Sequence, residues 1–404
     1  MNTNSDSVPS QPLKDNKPKP KILFIDHAGV MGGGQYSLLD IARHFTSSSK
    51  VLLFADGPFR ERLQQAGVSV EVLSAPRKVS GVSRQASLFH DLRAVAGVLQ
   101  LARSVAKHAR DYDLIYANGQ KPMVVSAFVA RLANKPLIWH LRDTLTVQFE
   151  SRLHLWLATT LANCFVARVI ANSKATAEAF VQSGGRANLV QTVYNGISVA
   201  PFRAVTSEQV AAARQQFGVG SAPVIGAFGR IAPWKGQHVL LEALPQLPGV
   251  HVLFVGDAIF GEDAYGKRLR EQAAALGVAD RAHFLGFRQD IPLLMSAVDM
   301  VVHTAVEAEP FGRVLVEGML ARKPVVATRG GGTPEIIENG VSGLLVPPSD
   351  AKALVVAIGG LLANPASAQR LAEAGHAVAL QRFSLEALLA GVTRQVDEVL
   401  ARRR

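Results

Sequence analysis

Hydrophobic positions along this chain fall into two alternating textures. Short runs dense in β-branched and aliphatic residues, among them KILFIDHAG, VLLFAD, VSVEVL, DLIYANG, PLIWHLRD, FVARVIANS and VQTVYNGI, predict strands. Longer amphipathic stretches separate them, such as SLLDIARHF and SLFHDLRAVAGVLQLARSVAKHAR, whose apolar spacing is that of one helix face. Strands alternating with helices indicate parallel βαβ units. Near residue 200 the alternation breaks into APFRAVTSEQVAAARQQFGVGSAP, a connecting segment. It then restarts: VIGAFGRI, HVLFVGD, AHFLGF, MVVHTA, PVVATRG and GLLVPPS read as strands. GQHVLLEAL, AYGKRLREQAAALG and the stretch after Phe311 read as helices between them, and SLEALLAGVTRQVDEVLARRR as a long final helix.

The expected architecture is therefore α/β, with two Rossmann-like doubly wound parallel-sheet domains facing across a cleft. The expected divisions are a tail over residues 1–20, a first domain over 21–200, a linker over 201–222 and a second domain over 223–384. A last helix over 385–404 is free to cross back to the first domain. Open parallel sheets bind ligands beyond the carboxyl ends of their strands, which puts the expected site in the cleft.

Composition agrees with this. At 404 residues the chain is long enough for two cores, and 48% hydrophobic with 19% charged residues suits a globular protein. No stretch of 18 clean apolar residues predicts a spanning helix; LHLWLATTLANCFVARVIA contains His154 and Arg168 and parses as a helix followed by a strand. Residues 1–20 are polar and rich in Pro and Lys, without the apolar region of a secretory signal, and read as disordered. Cys164, the single cysteine, lies in an apolar run and is expected to be buried; without disulfide chemistry the expected compartment is the cytoplasm.

Charge changes the picture in one respect. Residues 1–200 carry 23 Lys and Arg against 13 Asp and Glu, whereas residues 201–404 carry 20 against 19. Such a first half suits either an anionic surface, a membrane or a phosphate-bearing acceptor, or simply a solvated basic exterior. The basic residues are scattered and lack interleaved aromatics, which disfavours nucleic acid.

Five segments carry candidate chemistry. MGGGQ follows the first strand, and Gly33 and Gly34 would let backbone amides meet phosphate or sugar oxygens. It lacks the glycine spacing of the dinucleotide fingerprint, which argues against an NAD-dependent dehydrogenase. GRIAPWKG puts Arg230 and Lys235 at the carboxyl end of the first strand of the second half, where a planar fork and a mobile point charge could converge on a diphosphate. EPFGRVLVE holds Glu309 and Glu317, about 80° apart around a helix were the segment wholly helical. Pro310 and Gly312 predict instead that the helix starts near Phe311 or Gly312, giving an anion site at its amides. Glu309 would then accept from sugar hydroxyls and Glu317 from ribose hydroxyls. TRGGGTPEI opens a further helix, in which Glu335 could complement its own helix dipole or meet a ligand, and WHLRD would aim His140 at the cleft.

Together these segments resemble the retaining, family 4 glycosyltransferases of the GT-B fold, over nearly the whole chain and most strongly between about residues 224 and 348. EPFGRVLVE is similar to that family's E-x7-E signature, GRIAPWKG to its diphosphate-neutralising Arg and Lys, and GGGTPEIIENGVSGLLVPP to its Gly-rich loop and the segment beyond it. MGGGQ resembles its donor-closing loop, WHLRD its His-bearing strand end and YNGI its interdomain turn. Ser198 and Ala258 stand where the family often has aspartate and glycine. The resemblance implies transfer of a sugar, with retention, from a UDP- or GDP-linked donor to a glycan or lipid-linked acceptor, in cell-surface polysaccharide or glycolipid synthesis at the inner membrane face. It implies donor contacts through Gly33, Gly34, Arg230, Lys235, Phe287, Arg288, Glu309, Phe311, Gly312 and Glu317, with Arg230, Lys235, Glu309 and His140 as the reactive set. No cofactor and no metal are implied; Asp111-Tyr112-Asp113 sits at a strand start, away from the cleft. An NDP-sugar 2-epimerase of the same architecture and a non-catalytic nucleotide-sugar-binding protein are the rival readings.

Overall fold

The computed structural model describes residues 19–73, 92–146, 151–259 and 261–402. The expected tail, apart from Lys19 and Pro20, and the start of the long helix expected from Ser87 lie outside these residues.

Every run expected as a strand supplies one. The first sheet holds β1 (Ile22–Asp26), β2 (Lys50–Leu53), β3 (Ser69–Val72), β4 (Leu114–Asn118), β5 (Leu137–Leu141), β6 (Arg168–Ala171) and β7 (Val190–Thr192), in the order β3-β2-β1-β4-β5-β6-β7. The second holds β8 (Val224–Phe228), β9 (His251–Val255), β10 (Ala282–Gly286), β11 (Met300–His303), β12 (Val325–Thr328) and β13 (Leu344–Val346), in the order β10-β9-β8-β11-β12-β13. All pairings between these strands are parallel. Helices on both faces explain why β1, β4, β5, β6 and β8 are buried at every position: a strand covered on two sides has no polar face.

The first domain's helices are α1 (Gly33–His44), α2 (Pro58–Gln65), α3 (Leu92–Ala109), α4 (Gln120–Ala133), α5 (Arg152–Phe165) and α6 (Lys174–Gln182). The connecting segment forms α7 (Ala200–Arg203) and α8 (Ser207–Phe217). A Thr206–Gln209 capping box starts α8, which ends at Gly218. Arg214 ties α8 to the second domain through the Ala297 carbonyl at 2.9 Å and Asp299 at 3.0 Å. The second domain carries α9 (Gln237–Ala243), α10 (Asp263–Ala275), α11 (Ile291–Ala297), α12 (Arg313–Leu320), α13 (Thr333–Ile336), α14 (Ala351–Ala363) and α15 (Pro365–Arg382).

The last helix, α16 (Leu385–Ala401), returns to the first domain. Leu388, Val392, Val396 and Val399 enter the apolar cluster of Ile22, Phe24, Leu38 and Val51, and Glu398 pairs with the buried Arg168 at 3.2 Å. The two crossings touch: Ile197 bridges Ser384, and a Cβ on Gly196 would stand 2.3 Å from the Ser384 carbonyl oxygen, so only glycine fits there.

Among the described residues no single helix is long and apolar enough to cross a membrane; α14 and α15 reach that length only together and are bent by 103°. Cys164, expected to be buried, is exposed. It lies two turns beyond Trp156 on the outward face of α5, whereas Leu161 and Ala162 face the core.

Candidate active site

Strand order reverses between β1 and β4 in the first sheet and between β8 and β11 in the second. At such switch points the loops leaving adjacent strands part in opposite directions and open a crevice. The loops and helix starts that follow β1, β8 and β11 hold most of the candidate residues.

In the second domain, Gly229 and Arg230 follow β8, and Lys235 ends a short 3-10 turn, Pro233–Lys235. The Trp234 ring meets both cations, its centre 4.2 Å from the Lys235 ammonium and 5.3 Å from the Arg230 guanidinium. Gln237 Nε2 donates to the Arg230 carbonyl at 2.8 Å, and Thr304 Oγ1 donates to that of Lys235 at 3.1 Å, fixing the turn against the end of β11. From the loop after β11, Glu309 brings Oε2 to 2.5 Å from Lys235 Nζ and 3.4 Å from Nε2 of His303. Burial alone would raise the Glu309 carboxyl; the ammonium, helped by His303, outweighs it and takes the pKa down to about 2.

Gly312, at φ 97°, caps the start of α12, whose first amides lack partners within the helix. One turn in, Glu317 Oε1 lies 3.5 Å from Arg313. Its pKa is raised, because burial there exceeds the pull of Arg313. The two signature carboxylates therefore sit in opposite electrostatic settings.

The glycine loop after β12 acts on Glu309 through the backbone. Gly332 N donates to the Glu309 carbonyl at 2.8 Å, and a Cβ on Gly331 (φ 54°) would stand 2.1 Å from that same oxygen. The close approach expected of this loop is thus toward the Glu309 segment. Glu335 stands in the first turn of α13, where a carboxylate complements its own helix dipole as expected, and it has a further role. It reaches the first domain, accepting from Lys174 N and Ala175 N at 2.8 Å each and from the Tyr194 hydroxyl at 3.0 Å, and so caps α6 across the interface.

In the first domain, Gly33 and Gly34 belong to the first turn of α1 rather than to the loop before it. Arg313 and Arg142 flank them: a Cβ on Gly33 would lie 3.3 Å from Arg313 Cδ, and one on Gly34 3.7 Å from Arg142 Cγ. Beneath is a polar network at the strand ends. Asp26 accepts from Ala28 N, Gln35 and Asn118; Asn118 Oδ1 accepts from Arg142 at 2.9 Å; Arg142 also donates to Ser37 at 2.9 Å and to Asn195 at 2.6 Å.

His140 departs from expectation. It is wholly buried, with Nδ1 against the Tyr116 hydroxyl, and does not face an open cleft. Burial first, and Arg142 second, hold its pKa well below 6.5. Phe311 is likewise buried, packed with Tyr194 and Phe383, so its side chain is a core element. Phe287, beyond β10, is 56% exposed. Arg288 is held by both oxygens of Asp290, at 2.8 and 2.6 Å. Next to it, Gln289 accepts from Arg62 of α2 at 2.6 Å across the cleft mouth.

Sequence reasoning missed His303, Arg313, Asp26, Asn118, Arg142 and Asn195. The available signal was a polar residue at or just beyond the end of an apolar strand run, which most of them share.

Two parallel sheets with opposed switch points, a cationic, amide-rich pocket on one side and glycine amides on the other define the GT-B architecture. A "Glycosyl transferase 4-like domain" model matches residues 32–196, and a "Glycosyl transferases group 1" model matches residues 210–378. The crystal structure of HepE from Anabaena in complex with UDP and glucose is 41% identical, with a TM-score of 0.87 covering 94% of this chain and 100% of that one. A lipopolysaccharide core biosynthesis glycosyltransferase, LpsE of Rhizobium meliloti, is 37% identical over 41% of this chain and 47% of its own length. A D-inositol 3-phosphate glycosyltransferase of Mycobacterium marinum is 34% identical over 53% and 47% respectively. The chain thus spans about half the length of the curated relatives it matches. It belongs to the GT-B glycosyltransferases of the family 4 type.

Proposed function

We propose that this protein transfers a sugar from a UDP-sugar, glucose being the first candidate, to a hydroxyl of a glycan or lipid-linked acceptor, with retention of configuration and without a metal ion. The observation that carries the reading is the Lys235–Glu309 pair beside the amide-rich start of α12, at the second sheet's switch point. Uridine and glucose are favoured because HepE, similar over the whole fold, is described in complexes with UDP and glucose and with UDP-glucose. The lipopolysaccharide enzyme among the relatives supports an acceptor in cell-surface glycan or glycolipid synthesis, met at the inner membrane face.

In this scheme the diphosphate lies against Arg230, Lys235 and the amides at Gly312, with the Gly33 and Gly34 amides closing from the first domain. The acceptor oxygen forms its bond to the anomeric carbon on the face from which the phosphate oxygen departs. The acceptor proton passes to that departing oxygen, and the new negative charge is held by the two cations and the helix start. Glu309 stays ionised between Lys235 and His303 and orients the sugar hydroxyls; Glu317 accepts from the ribose. Phe287 and Arg288 offer backbone to the base. His140, without exposed surface, is left out of the contact set.

A thermal-shift panel of nucleotide sugars tests this. A ligand at about 100 times its Kd stabilises by about 2.7 kcal/mol, so UDP-glucose should raise the melting point where GDP-mannose does not. Epimerised donor without an acceptor would favour the epimerase, and tight binding with no UDP released to any acceptor would favour a pure binding protein.

A further inference from the structure

The outward face of α5 is exposed at several apolar positions among the described residues. Leu153 (48% exposed), Trp156 (60% exposed) and the exposed Cys164 follow one another at spacings of three and eight residues, which places them in one stripe along the helix. Leu155, Ala158, Leu161 and Ala162 point the other way, into the core, so the helix is anchored without the stripe. Trp139 by contrast is wholly buried, as a structural indole should be. Exposed Arg152 precedes the stripe, and exposed Arg186 donates to the Asn163 carbonyl near its far end. Between Glu150, which precedes the helix, and Glu178 on α6 the chain contains no carboxylate. Because α5 follows β5, its first two turns, with Arg152, Leu153 and Trp156, lie toward the carboxyl edge of the sheet, the edge that borders the cleft.

We propose that this stripe is a docking face for an anionic membrane surface, with Trp156 and Leu153 entering the interface and Arg152 pairing with lipid phosphates. Indole rings favour the boundary between headgroups and acyl chains, and an apolar anchor combined with cationic charge supplies the two signals that stable, reversible attachment requires. The excess of basic residues in the first half adds long-range attraction toward the same surface. Self-association through the stripe is opposed by charge, since it would set the Arg152 side of one copy, in a chain of net charge +11, against another. The inference rests on the transferase reading in one respect: docking at this edge brings a lipid-linked acceptor to the cleft mouth.

The test is co-sedimentation with mixed phosphatidylcholine–phosphatidylglycerol vesicles and with pure phosphatidylcholine vesicles, at low and high salt, for wild type, Leu153→Ser/Trp156→Ser and Arg152→Gln. Wild type should bind the anionic vesicles and lose binding as salt rises. The double variant should lose about tenfold or more in its bound-to-free ratio, and Arg152→Gln a few-fold. A UDP-glucose thermal shift on the same samples should be equal in all three proteins, showing that the substituted sites leave the fold intact. Equal binding of wild type to neutral and anionic vesicles overturns the proposal, as does unchanged binding by the double variant, or a change in its oligomeric state without a change in vesicle binding. Vesicle binding as expected with no UDP-glucose shift in wild type would leave the docking face standing and remove the donor assignment instead.

Discussion

Lys235 and Glu309, 74 positions apart in sequence, meet at 2.5 Å, and each prepares the other for a different task. The ammonium keeps the buried carboxylate ionised, and the carboxylate holds the ammonium beside the start of α12. Lys235→Ala should therefore act twice, removing a cation from the leaving diphosphate and letting burial raise the Glu309 carboxyl. Turnover at saturating donor should fall by about 10²–10³, the scale of losing one preorganised transition-state donor. Wild-type kcat in that variant would take Lys235 out of the mechanism.

Charge on the departing diphosphate is met in this scheme by Arg230, Lys235 and helix amides. If those groups suffice, as the proposed scheme requires, enzyme dialysed against EDTA should keep its full rate of UDP release. A rate that collapses and returns on adding a divalent ion would refute the metal-independent scheme.

Acid should destabilise the protein in two separable stages. His140 has a folded-state pKa below its ordinary 6.5, so the unfolded chain binds its proton first; its contribution is complete above pH 6.5 and drains as pH falls below that. Glu309, ordinarily 4.5 and held at about 2, contributes fully above pH 4.5 and loses on the order of 3 kcal/mol as pH falls from 4.5 toward 2. Denaturant unfolding across pH should show both stages in wild type. His140→Gln should weaken the upper one, to which His44, His283 and His376, each also lowered by burial, still contribute, and Glu309→Gln should weaken the lower, to which Asp290 still contributes. A Glu309→Gln profile still parallel to wild type below pH 4.5 would contradict the assignment.

The glycine loop separates packing from mere flexibility. At Gly331 both the positive φ and the Glu309 carbonyl, whose oxygen would stand 2.1 Å from an added Cβ, oppose alanine. At Gly330 the nearest atom is Ala308 Cα at an ordinary 3.7 Å. Gly331→Ala should cost about 2 kcal/mol or more and lower turnover by shifting Glu309. Gly330→Ala should stay within about 0.5 kcal/mol of wild type with normal turnover. Equal behaviour of the two variants would show that the loop does not position Glu309.

Part of this arrangement was legible in advance. The central strands could be read because parallel strands covered on both faces are continuous apolar runs, as in ILFID and LIWHL, and the less buried β3 and β7 because VSVEVL and VQTV are still rich in β-branched residues. EPFGRVLVE could be read because Pro310 and Gly312 mark a helix start, and the helix does begin at Arg313. The Asp26–Asn118–Arg142–Asn195 network could not, since its members lie at four separate strand ends and only strand order brings them together. His140 misled for a related reason: a strand-end position fixes which edge a residue is near but not whether Tyr116 and Arg142 wall it in. Cys164 misled because an apolar run that is a helix still has an outer face.

Glu335 shows the same limit across the interface and gives the last prediction. Its carboxylate meets two amides at the start of α6 and the Tyr194 hydroxyl, so a residue of the second domain completes a helix of the first. Charge at that position also complements the helix dipole. Glu335→Gln keeps the shape but turns an amide N–H2 toward groups that themselves donate, which should cost about 1–3 kcal/mol. Tyr194 supplies a local reporter. Burial, then its hydrogen bond to Glu335, raise its pKa to about 12. Removing the carboxylate's charge should bring it partway back toward 10 while burial keeps it elevated. An ultraviolet titration of wild type against Glu335→Gln, beside thermal unfolding of both, checks the two effects together. A lowered melting point with an unmoved tyrosine titration would mean that Glu335 stabilises the fold without gripping Tyr194, and that the contact joining the domains lies elsewhere.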